Sequence, residues 1–185
     1  MQISGNTLAR AAGVTAPRGA TTSADAVVIE AWRTRTLTDG TKLDLGRTEK
    51  EQGFVVRDDG LFPISFKRSG TQVCDDGSRR LANVIDIKNI LPHSGGHTHP
   101  LGRTGDVSGL PGPEDGRLAA VTDRPAYVIS KRGAFAIEQT GGGFEVRQIA
   151  GKPLTPAEQG EVGRTVAQWN SNSGGSGVRC TFVAH

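Results

Sequence analysis

The chain has 185 residues, 35% of them hydrophobic and only 5% aromatic, with 26 Gly and 9 Pro. That length suits one domain and excludes two full-sized ones, and the scattered glycine excludes a collagen-like repeat. Lys and Arg number 22 against 19 Asp and Glu, a net charge of +3 with the signs interspersed. No basic run therefore marks a specific nucleic-acid surface, and no stretch reaches the roughly 20 apolar residues of a membrane helix.

Residues 1–22, rich in Ala, Gly, Thr and Ser, read as a flexible leader or boundary, leaving 23–185 as a single domain. From Ser23, a residue able to cap a helix, Ala26, Ile29, Ala31 and Trp32 form an apolar stripe that predicts a helix over about 23–35. Two apolar runs on either side of Asp58-Asp59-Gly60 predict a β-hairpin over 52–67. Residues 81–91 fit helix or strand by periodicity, and their β-branched side chains favour a strand running into the histidine segment. Residues 92–113 read as an irregular loop of a length that often carries function. A short helix with acids at its start follows over 114–122. Three strands at 126–130, 134–138 and 144–149 predict a β-meander, with Lys131-Arg132 as a solvated turn and Gly141-Gly142-Gly143 as a hairpin turn. Thr155-Pro156-Ala157-Glu158 is a capping-box signature for a helix through about Asn170, and a short strand over 178–183 closes the chain. The order implies an α+β layout around a mostly antiparallel sheet. Trp32 and Trp169 read as helix residues of the core. Cys74 and Cys180, in polar turn-like contexts and without zinc spacing, can pair as a disulfide that would pin the C-terminal strand to the middle of the chain.

Three histidines, His93, His97 and His99, fall close together. In His97-Thr98-His99-Pro100 an extended backbone points both imidazoles to the same face, where they can reach one metal ion. Zinc takes neutral imidazole nitrogens and a carboxylate, and a catalytic site leaves one position to water. The third ligand is expected to be Asp115, at the start of the short helix, with Asp106 and Glu114 as rivals. A carboxylate not bound to the metal is expected as the base; Glu51, just before the first hairpin strand, is the candidate and Glu49 the second. His93 reads as a loop residue.

Glu51-Gln-Gly-Phe-Val-Val, His97-Thr-His99-Pro100, Gly112-Pro-Glu-Asp115 and Pro125-Ala-Tyr-Val-Ile-Ser together resemble the JAB/MPN metalloprotease superfamily, the JAMM proteins, whose pattern is Glu, then His-x-His-Pro, then Ser-x-x-Asp. More narrowly, residues 23–150 are similar to JAB-like domains at the C-termini of bacterial polymorphic toxins and RHS-repeat proteins. The resemblance implies a JAB/MPN-like α+β fold with a cytidine-deaminase-like layout. It implies a hydrolase with zinc (Zn2+) held by His97, His99 and Asp115, and with Glu51 as acid and base. The substrate implied is an amide or isopeptide bond in a protein or peptide, and an immunity or carrier protein is an expected partner. Secretion, or delivery as part of a larger bacterial protein, goes with it. Gly112 stands where the family has its oxyanion-stabilising serine, while Ser108 lies at the usual distance after His99-Pro100. Either Ser108 swings in to act alongside Asp115, or that contact is missing. Two other readings keep part of this picture: a metal-dependent nuclease toxin, and an inactive binding module that retains the fold.

Overall fold

The computed structural model describes residues 21–46, 50–75, 77, 79–81, 83–100, 109–171 and 180–184. All of the expected leader except residues 21 and 22 therefore lies outside the described residues. In chain order the elements are α1 (Ser23–Thr34), β1 (Gly53–Arg57), β2 (Gly60–Ile64), β3 (Phe66–Arg68), β4 (Gly70–Cys74), β5 (Arg79–Leu81) and β6 (Val84–Ile85). After a 3-10 turn at Ile87–Asn89 come β7 (Ser94–His99), α2 (Gly116–Thr122), β8 (Ala126–Ser130), β9 (Gly133–Thr140), β10 (Gly143–Gly151), α3 (Pro156–Ser171) and β11 (Cys180–Ala184).

Six strands form the main sheet in the order β10-β9-β8-β7-β1-β2. Every neighbouring pair is antiparallel except β7 and β8, which run parallel because the α2 segment carries the chain across between them. Alternation along each strand divides the core in two. Phe54, Val56, Tyr127 and Ile129 pack on one face with Val28 and Ala31 of α1. Val128, Phe135, Ile137 and Val146 pack on the other with Ala119 of α2 and Val162 and Val166 of α3. The molecule is thus α+β, a mostly antiparallel mixed sheet with helices on both faces.

Helix α1 forms as expected but is capped by Thr22 rather than Ser23: the Thr22 hydroxyl accepts from the Asp25 N–H at 3.0 Å. Its buried face is also rotated from the apolar stripe, with Asp25, Val28 and Ala31 inward and Ala26 exposed. The reason is an ion pair that hydrophobic periodicity does not register. Asp25, 1% exposed, accepts from the Tyr127 hydroxyl at 3.0 Å and from Arg147 at 3.1 Å, and Arg147 also reaches Glu138 at 2.5 Å. Burial first, then the neighbouring Asp25 carboxylate, push the Tyr127 hydroxyl well above its ordinary pKa.

The 81–91 segment does not run as one strand into the histidines. Among its described residues only Leu81 and Val84–Ile85 lie in strands, and Asp86 caps the 3-10 turn by accepting from the Lys88 N–H at 3.1 Å. Nor is 92–113 irregular throughout, since Ser94–His99 is a central strand of the main sheet. Glycine is depleted from strands, which hides β7 in the sequence, yet here the missing side chain is required. A Cβ on Gly96 would sit 2.2 Å from the Tyr127 carbonyl oxygen and 2.7 Å from the Phe54 ring.

The capping box at α3 is reciprocal: the Thr155 N–H donates to Glu158 at 2.7 Å and the Glu158 N–H to the Thr155 hydroxyl at 3.3 Å. Glu158 also pairs with Arg132 at 2.5 Å, and the Arg132 guanidinium donates to the carbonyls of Lys152 and Pro153, both at 2.9 Å. Arg132 is therefore a clamp between the β8–β9 turn and α3, not a solvated turn residue. Among the described residues two small sheets lie outside the main one: β11-β4-β5, and β3 with β6. Cys74 ends strand β4 rather than lying in a turn, and is disulfide-bonded. The chain's only other cysteine, Cys180, is its register partner on β11.

Candidate metal site

Register brings the site together. Antiparallel pairing sets Gly53 of β1 opposite His97 of β7, so Glu51, two residues earlier, falls beside His99 on the same face of the sheet. Thr98, fully buried between the histidines, faces the other way and fastens this corner. Its N–H donates to the Gln52 carbonyl at 2.9 Å, and its hydroxyl accepts from the Gln52 N–H at 2.8 Å. Glu51, His97 and His99, all half-buried, could hold a metal ion, since one ligand atom from each lies within 4.8 Å of the others.

Asp115 closes the group from the other side. Its Oδ1 is 3.0 Å from His97 Nε2 and its Oδ2 is 3.3 Å from His99 Nε2, while the two Nε2 atoms are 3.1 Å apart. Although Asp115 occupies the N-cap position of α2, its side chain makes no capping bond there. Instead Oδ2 accepts from the Gly112 N–H at 2.6 Å, which aims the carboxylate at the histidines. Burial, at 7% exposure, pushes the Asp115 carboxyl upward, but His99 and His97 outweigh that and hold it well below the usual carboxylate range.

The Leu110 carbonyl, which can only accept, is 3.0 Å from His99 Nδ1. The proton therefore sits on Nδ1 and Nε2 points toward Asp115 and His97, the tautomer a metal requires. Ligands about 2.0–2.1 Å from a tetrahedral zinc ion stand about 3.3–3.4 Å from one another. The two Nε2 atoms here are 3.1 Å apart, and the two Asp115 oxygens lie 3.0 Å from His97 and 3.3 Å from His99, distances within a few tenths of that spacing. The donor set and its spacing thus fit the ion.

Both tryptophans brace the site. The Trp169 indole N–H donates to the Pro113 carbonyl at 2.7 Å, and its ring lies where a Cβ on Gly116 would sit, 2.7 Å away. On the opposite face Trp32 donates to the carbonyl of Ser130, the register partner of His99, at 3.0 Å. Among the rivals, Glu114 is exposed. Asp106, Glu49 and Ser108 lie outside the described residues. His93 sits in the turn before β7, its N–H bonded to the Ile90 carbonyl at 2.8 Å.

Reading the sequence missed Asn83, whose side-chain Nδ2 donates to Glu51 Oε2 at 2.5 Å, and no motif marks it. It also missed Thr98, which strand parity alone points to: the residue between two histidines on one face belongs to the other. No protein-family model matches this chain, and neither curated proteins nor solved structures include a match to it.

Proposed function

We propose that the chain is a zinc-dependent hydrolase of the JAB/MPN (JAMM) kind, cleaving an amide or isopeptide bond in a protein or peptide. One observation carries this reading: the His97 and His99 Nε2 atoms stand 3.1 Å apart, each with one oxygen of the Asp115 carboxylate at 3.0 or 3.3 Å, and the Glu51 carboxylate lies beside them. These are the four positions at which the sequence resembles that superfamily. Zinc, when bound, supplies Lewis acidity for a carbonyl oxygen and lowers the pKa of a water to about 7.

The chain supplies the rest. His97 and His99 would supply imidazole nitrogens to the ion, and Asp115 the anionic ligand, held well below the usual carboxylate range by the histidines it faces. Glu51 takes the proton of the attacking water on its carboxylate and passes it to the departing amine, leaving a carboxylate and a free amine as products. Gly112 contributes no oxyanion donor: it has no side chain, and its N–H is committed to Asp115.

The test is metal content by plasma mass spectrometry on tag-free protein, together with turnover of linear and isopeptide-linked peptides. About one zinc per chain is expected, lost in His97→Ala and Asp115→Ala. Glu51→Gln is expected to keep its zinc while turnover falls by about 100-fold or more. Failure to take up zinc, or full activity in Glu51→Gln, overturns the reading. Degradation of plasmid or RNA that depends on His97, without peptide cleavage, replaces it with a nuclease.

A further inference from the structure

The Glu51 carboxylate stands close enough to the histidines to be a ligand itself, with its oxygen and the two imidazole nitrogens all within 4.8 Å. With Asp115 that makes four protein ligands, and four close a tetrahedral zinc site, whereas a hydrolytic site keeps one position open. Something has to hold Glu51 back. Asn83 is the group in place to do so, through the 2.5 Å bond from its Nδ2 to Glu51 Oε2. An ionised carboxylate only accepts, so the donor in this bond is the amide nitrogen.

The backbone around Asn83 is fixed on both sides. Strand β5 before it pairs with β4, and β6 after it pairs with β3. Strand β4 in turn pairs with β11 and carries the disulfide-bonded Cys74. None of these strands belongs to the main sheet that carries the histidines. Asn83 therefore pulls on Glu51 from a separate frame, one that need not follow any shift of β1 or β7 toward a bound ion.

We propose that Asn83 is a positioning residue that keeps Glu51 out of the metal's coordination shell, and so makes the site an open, hydrolytic one instead of a closed four-ligand one. This inference rests on the metal reading above.

The experiment replaces zinc by cobalt(II), whose visible absorption reports coordination, and uses azide as a small anion that binds only at an open position. Zinc affinity is measured beside it by chelator competition. The wild-type cobalt spectrum should shift on addition of azide. Asn83→Ala and the similarly sized Asn83→Leu should bind zinc about 10-fold more tightly, the lower end of what outer partners exert on metal sites, and their spectra should ignore azide. Adding Glu51→Ala to either variant should restore the azide response. A wild-type spectrum indifferent to azide overturns the inference, as do Asn83 variants that match wild type in both readouts. If the wild type takes up no metal at all, the metal reading itself fails, and that result is seen without any Asn83 variant.

Discussion

Zinc should stabilise this protein by an amount set by how far it is saturated. The imidazole nitrogens, 3.1 Å apart, and the Asp115 oxygens facing them at 3.0 and 3.3 Å already stand near the edge lengths of a zinc tetrahedron, about 3.3–3.4 Å, so the ion should enter with little rearrangement. At free zinc about 100-fold above the dissociation constant, a ligand that binds only the folded chain adds about 2.7 kcal/mol. For a domain of this size each kcal/mol moves Tm by about 2–4 °C. Tm should therefore rise by about 5–11 °C between chelator-treated and zinc-saturated protein, read by scanning calorimetry. His97→Ala and Asp115→Ala each leave two of the three ligand residues and should lose most of the rise. Glu51→Gln should keep it, because the proposed ligand set does not include Glu51. A rise below about 1 °C at saturating zinc refutes the reasoning, as does a full rise that survives both ligand variants.

Gly96→Ala should cost about 1–3 kcal/mol, because its Cβ meets a carbonyl oxygen of the sheet at 2.2 Å and no side chain can give way. Gly112→Ala, whose Cβ would have only Asp115 Oδ2 at 3.8 Å, should be near neutral in the same denaturant titration. Asp25→Ala leaves the buried Tyr127 hydroxyl without its acceptor and Arg147 with only Glu138. A loss of about 3 kcal/mol and a Tm lower by about 6–12 °C follow, and a drop under 2 °C contradicts the assignment of this pair as a core fastening. Glu158 is held down from 4.5 to about 2, first by the Arg132 side chain and then by the Thr155 N–H. A depressed carboxyl contributes stability that is complete above its unfolded value and disappears as pH falls through the folded one. Glu158→Gln should therefore lower Tm at pH 7 and lower it far less near pH 2, and an equal loss at both pH values would rule out this linkage.

What could be read in the sequence was whatever is local. The spacing of His97 and His99, the turn at Asp58-Asp59 and the Thr155–Glu158 box each express their geometry within a few residues, and each is found in the structure. Features that depend on distant partners were hidden. Asp25 looks like a solvent-facing helix residue until Tyr127 and Arg147, a hundred residues on, are brought to it. Strand β7 looks like a loop because Gly95 and Gly96 have low strand propensity, although tight packing beneath Phe54 is what calls for a residue without a side chain. Asn83 and Arg132 act through single hydrogen-bonded contacts that carry no periodicity.

The chain has only two tryptophans. One is tied to the backbone beside His99 and the other to the turn that aims Asp115. Indole emission shifts colour when its hydrogen-bonding partner or its exposure changes, so the protein carries two unlabelled fluorophores, one on each flank of the site. Steady-state emission can thus follow the coming together of β7 and the Asp115 turn, on the bench and in real time, before any substrate has been identified.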